Sequence, residues 1–252
     1  MGAGNTEPAS LTGGNGNYED AIADRAETVR EVSGPLYDAH RDHVRALTEQ
    51  FHGPEAVAGE ELRDGEDAAA LREYVRDYCA DDVFPVLNDV GGGEDLSWNR
   101  FQRALRALVE ALYLRAFQRY SAARDHFTRV NRQRREGKEA LSDAEAAIDF
   151  DGDGGLAGEE SPGEAVANAA SIVEDAESEV AAAEEAVADA HFYYALAAAY
   201  QTEQGIEDAE LEGVSLGDDP DWYLQDLRHE RDRLATRVEW LRTDFERLAD
   251  RR

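Results

Sequence analysis

The chain has 252 residues and a formal charge of −30, from 56 acidic and 26 basic side chains, with a single cysteine. That excludes an intrachain disulfide, and no apolar run approaches the ~20 residues that a membrane-crossing helix needs. Residues 1–17 (MGAGNTEPASLTGGNGN) lack the charged and apolar regions of a signal peptide and read as a disordered tail.

Strand signals are nearly absent and helical periodicity runs almost throughout, so the sequence predicts an all-α fold. A first helix covers 18–32 and ends at Ser33-Gly34-Pro35. A second covers 36–51 and closes at His52-Gly53-Pro54. A third spans roughly 66–84, before Pro85 and the Gly91-Gly92-Gly93 break. Together they make an N-terminal helical unit over 18–90. Cys79 in the third helix reads as a small buried hydrophobe. His40 and His43, at i and i+3, read as a solvated pair, although Asp38 or Asp42 could join them around a metal. Glu49 and His52 have the form of half a di-iron site. No second Glu-x-x-His exists, and His52 reads as a helix-end cap.

Ser97 is the expected N-cap of a long helix that only Gly137 interrupts. After an acidic loop, Ser161-Pro162-Gly163-Glu164 combines a capping box with proline at the first helical position. The helix it opens reaches about Gln204. Val166, Val173, Val180, Val187 and Tyr194 repeat by seven, and each is followed three residues later by an alanine: Ala169, Ala176, Ala183, Ala190 and Ala197. Such a thin seam lets a partner helix approach closely. A linker, 205–220, leads to a last helical segment, 221–252. There Leu227, Leu234, Leu241 and Leu248 repeat by seven, with Leu224, Val238 and Phe245 in the other seam position and Arg231 as a polar intruder. This pattern is specific for helix packing and leaves open whether the partner is another segment or another chain.

Charge points to a pairing. Residues 97–138 hold eleven basic and three acidic side chains, and residues 162–190 hold eight acidic and no basic ones. Folding the two helices back about Gly155 sets each residue opposite the one equally far beyond that glycine. Arg124, Arg129, Arg132, Arg134, Arg135 and Lys138 then face the stretch from Glu174 to Asp189. The expected architecture is a helical bundle. Its parts are a long antiparallel coiled-coil hairpin over 97–204, with an acidic tip at 149–160, and a C-terminal leucine-repeat helix.

The tip has its own pattern. Asp149, Asp151 and Asp153 stand at alternate positions, followed by Gly154, Gly155, Leu156 and, at the twelfth position, Glu160. Calcium takes six to eight hard oxygen ligands, which alternating carboxylates on a tight turn supply. The stretch resembles an EF-hand calcium loop over these twelve residues. The resemblance implies Ca2+ bound by Asp149, Asp151, Asp153, the Gly155 carbonyl and Glu160, in a structural role. The other reading is an acidic, glycine-rich hairpin tip. Of the 26 basic residues 25 are arginine, Lys138 being the exception. This acid excess, with lysine almost absent and alanine abundant, resembles cytoplasmic proteins of extremely halophilic archaea. The resemblance implies a cytoplasmic protein that stays hydrated and soluble at molar salt.

No nucleophile elbow, phosphate loop, zinc-protease motif or dinucleotide glycine pattern occurs. The expectation is therefore a non-enzymatic scaffold or interaction protein with no evident small-molecule substrate. It meets a protein partner or a second copy through helical seams that include Arg129, Arg132, Arg134, Arg135 and the four leucines. The alternative is association with nucleic acid through the arginine-rich helix 115–138, with Tyr120 and Phe127 available for stacking. Against it stand the surrounding acidity, the salt sensitivity of phosphate contacts and the acidic helix expected to occupy those arginines.

Overall fold

The computed structural model describes residues 16–51, 70, 73–77, 98–150, 161–203 and 220–250. Among the described residues only Ser33, Ser161 and Asp250 are not helical, and there is no strand. The fold is all-α. Five helices carry it: α1 (Gly16–Val32), α2 (Gly34–Phe51), α3 (Trp98–Phe150), α4 (Pro162–Glu203) and α5 (Pro220–Ala249). Residues 73–77 form a further short helical piece.

Capping sets the boundaries. Gly34 and Pro35 do not end α1; they form the first turn of α2, and only Ser33 separates the two helices. Its N–H donates to the Val29 carbonyl at 2.9 Å, closing α1, while its hydroxyl accepts the Leu36 N–H at 3.3 Å, opening α2. A proline in a first turn forfeits no intrahelical bond, so serine capping outweighs its breaking tendency here. At α4, the Ser161 hydroxyl accepts the Glu164 N–H at 3.3 Å, and the Glu164 carboxylate accepts the Ser161 N–H at 3.0 Å. These bonds hold Glu164 below the usual carboxylate range. Helix α1 begins at Gly16, inside the stretch read as tail.

The chain divides into two compact units. The first comprises 1–119 with 188–221, and the second 120–187 with 222–252, so α3 and α4 contribute a segment to each. The first unit buries Val29 of α1, Leu36 and Leu47 of α2, Val75, Leu112 of α3, and Phe192, Leu196 and Tyr200 of α4 in one cluster. Here Arg119 meets Asp189 at 3.0 Å and the Tyr113 hydroxyl donates to Gln201 Oε1 at 2.7 Å, so α3 and α4 run antiparallel.

The second unit is a three-helix bundle. Arg129 meets Glu179 at 2.9 Å, and Gly137 of α3 lies against both Ile172 of α4 and Leu241 of α5. Arg124 also reaches Glu230, so α5 runs parallel to α3 and antiparallel to α4. All five seam alanines of α4 are at most 2 % exposed. Val166, Val173 and Val187 are buried, while Val180 and Tyr194 are half-buried. Leu227, Leu234, Leu241 and Leu248 are buried within the chain. Leu248, for example, lies in one apolar cluster with Ala144, Ala165 and Val166. Each buried leucine contributes ~1.5–3 kcal/mol, more than any exposed ion pair.

A Cβ added at Gly137 would stand 2.8 Å from Leu241 Cδ2. Gly137→Ala should thus lose its ~1 kcal/mol propensity gain to the clash and destabilise by about 1 kcal/mol. In a Leu241→Ala background the same change should stabilise. Denaturant unfolding of the four proteins at molar salt checks the cycle, and additive effects would contradict the close approach.

Candidate functional site

The basic residues of α3 do not all face α4, which corrects the expected pairing. Arg129 does, through Glu179. Arg124 turns to α5, 3.2 Å from Glu230 and 3.8 Å from Asp226. Arg132 lies 3.9 Å from Glu136 of its own helix, and Arg135 Nε donates to the Asn131 carbonyl. Arg134 is half-buried, and its Nε has no hydrogen-bond partner. On the acidic side, Glu177 is met by Arg242 of α5 at 3.2 Å. The reason is angular: a run of cations wraps around a helix, only one flank reaches a given neighbour, and a third helix competes for both partners. Arg129, Arg132 and Arg135 line an open groove along α3 with Thr128, Glu136 and Glu139, and Lys138 is exposed nearby in sequence.

At one end of that groove His126 Nδ1 lies 2.6 Å from Glu179 Oε2 and 2.7 Å from Arg129 Nη2. One ring nitrogen cannot donate to the carboxylate and accept from the guanidinium at once. Burial pushes the Glu179 carboxyl up, but the bonds and charges of His126 and Arg129 outweigh it and hold it below its ordinary value. An ionised Glu179 requires the proton on Nδ1, so His126 and Arg129 both donate to Oε2 and the Arg129–His126 approach is no bond.

Of the calcium-loop residues, Asp149 lies in the last turn of α3, which ends at Phe150. Asp151, Asp153, Gly155 and Glu160 lie outside the described residues, as does Cys79. Among the described residues no three His, Cys, Asp or Glu side chains gather as a metal site.

The first unit holds a site that sequence reading missed. A partly open cavity of about 70 Å³ lies between α1, α2 and α3. Each helix presents one face to it, as i, i+3, i+4, i+7 spacing requires: Ile22 to Val29, Tyr37 to Val44, and Ala107 to Arg115. His40 lines it and is buried, in contrast to the solvated pair expected with His43. Both histidine rings stand edge-on to the Tyr200 ring, at 5.3 and 6.3 Å. Burial, then the neighbouring His43 and Arg115, lower the His40 pKa to about 3, so it is neutral at pH 7. No pattern within α2 marks the site, because the cavity arises only where faces of α1, α2 and α3 meet.

Comparison of the chain with protein-family models, with curated proteins and with solved structures finds no match.

A histidine that stays neutral in the fold favours the unfolded chain wherever the free imidazole binds a proton. Stability should therefore fall as pH drops from about 6.5 toward 3, by up to ~1.4 kcal/mol per unit. His40→Gln should reduce the stability difference between pH 7 and pH 5, a window above the carboxylate titrations. Equal losses in denaturant unfolding of both proteins would contradict the assignment.

Proposed function

We propose that this protein is a non-enzymatic helical scaffold from the cytoplasm of a halophile, and that it meets an acidic protein partner through the arginine face of α3. One observation carries the reading. The four leucines of α5 are buried within the chain, whereas Arg132, Arg135 and Lys138 of α3 are exposed and, among the described residues, reach no carboxylate on α4 or α5. A cationic strip on a chain of charge −30 attracts acidic surfaces, and bidentate guanidinium contacts suit carboxylates.

The same strip favours a second reading, nucleic-acid association through residues 115–138, because Arg132, Arg135 and Lys138 within it are exposed, although α4 pairs with Arg119 and Arg129. One comparison separates the two. Wild-type protein and an Arg132→Glu, Arg135→Glu, Lys138→Glu variant are used to capture partners in molar KCl, with and without nuclease. A protein partner should survive nuclease and be lost with the variant. Retention that vanishes with nuclease would favour the second reading, and equal capture by the variant would remove the arginine face from both.

The proposal includes structural calcium at 149–160. Helix α3 ends at Phe150 and α4 begins at Pro162, so the intervening carboxylates join two long helices. Bound Ca2+ would relieve their mutual repulsion. Calorimetric titration should show one calcium bound by the wild type and none by an Asp151→Ala, Asp153→Ala variant. Identical isotherms would rule the site out.

A further inference from the structure

The cavity of the first unit has a lining at odds with the rest of the chain. Acidic residues outnumber basic ones 56 to 26 in the sequence, yet none of the described residues lining this cavity is acidic. Three arginines do, one from each helix: Arg25, Arg41 and Arg115. Their surroundings differ. Arg25 lies 3.2 Å from Glu110, and Arg41 is 3.3 Å from both Asp38 and Asp42 on its own helix. Arg115 is half-buried and has no carboxylate within ion-pair distance among the described residues. Its guanidinium carbon lies 5.7 Å from the centroid of the Tyr193 ring. Apart from these arginines, Tyr37 and His40, the described lining residues are apolar, and Val29, Val44, Leu108 and Leu112 among them are buried.

We propose that this cavity is a binding site for a small monoanion with a short apolar tail, a short-chain carboxylate, whose counter-charge is Arg115. Half-buried Arg115 meets no carboxylate among the described residues, so an anion at the cavity would supply its charge partner. The apolar wall takes the tail. Size sets the upper limit. A water fills roughly 10–15 Å³ of such a cavity, so 70 Å³ holds about five heavy atoms, the size of acetate or propionate. Neutral His40 adds a polar ring to the wall without placing a second carboxylate or a competing charge there.

Propionate is the probe, added to the full chain at constant molar potassium against the bulky anion gluconate. Propionamide, hexanoate and chloride form parallel arms, and Arg115→Gln and Ala111→Leu are the variants. Propionate should raise the melting temperature saturably. Carbon-13-labelled propionate should show contacts from its methyl group to Leu112 and Val44. Propionamide and hexanoate should do neither. Arg115→Gln should weaken binding at least about tenfold, as loss of a charge-assisted bond predicts. Ala111→Leu, which keeps the charge and fills the space, should abolish the methyl contacts even if Arg115→Gln fails to fold. Equal protection by propionamide would overturn the counter-charge, and equal protection by chloride would overturn the tail. Absence of any saturable shift would overturn the site.

Discussion

Two helices can lie close together only where the side chains between them are short. Helix α4 meets that condition along its length by placing an alanine every seventh residue, and each of these alanines is buried. The condition recurs on α3 at Gly137, where Ile172 and Leu241 both come within 3.5 Å of the position a Cβ would take. The leucines of α5 can then pack against α3 and α4 together. A bulkier residue at Gly137 would push α5 outward and loosen Leu234 and Leu248, each about two turns from Leu241, because a packed core transmits local expansion. The close approach therefore comes first, and the leucine seam depends on it.

Ion pairs follow from that packing. Once three helices share the second unit, a given arginine reaches whichever carboxylate its own face presents. Arg129 meets Glu179 of α4, Arg124 meets Glu230 of α5, and Arg242 of α5 takes Glu177. Arg119 and Arg129 are ten residues apart, and so are their partners Asp189 and Glu179, in reverse order. Both pairs have residue 154 as their sequence midpoint. Each exposed pair contributes only ~0.2–1 kcal/mol, so the pairs discriminate among registers while apolar burial supplies the stability.

This division explains what could be read from the sequence. Seven-residue spacing of Val166 to Val187, of the alanines and of Leu227 to Leu248 is a backbone-periodic signal, and burial follows it. The Ser161–Glu164 box is local, so it too was legible. At Ser33 the local signal was misleading: a Ser-Gly-Pro run reads as a break, but the serine caps the next helix. Facing charge blocks gave an approximate axis for pairing and failed to assign individual partners, because a net charge carries no azimuth and the third helix was not in that reckoning. His40 was illegible for a different reason. Its burial depends on Tyr200, 160 residues away, beside which its ring lies, and no pattern within α2 announces that. The cavity is likewise a product of three helix faces meeting.

The near-absence of lysine fits this arrangement. A guanidinium is planar and weakly hydrated, and it tolerates half-buried positions over apolar or aromatic surface where an ammonium would be stripped of strongly held water. Arg129, Arg115 and Arg134 are half-buried and Arg228 is buried, whereas the one lysine, Lys138, is exposed. Arg115 is one of the half-buried arginines, and it lines a cavity with no carboxylate in ion-pair distance among the described residues. The same preference that lets an acidic chain keep arginines inside also leaves that guanidinium ready for an anion from solution.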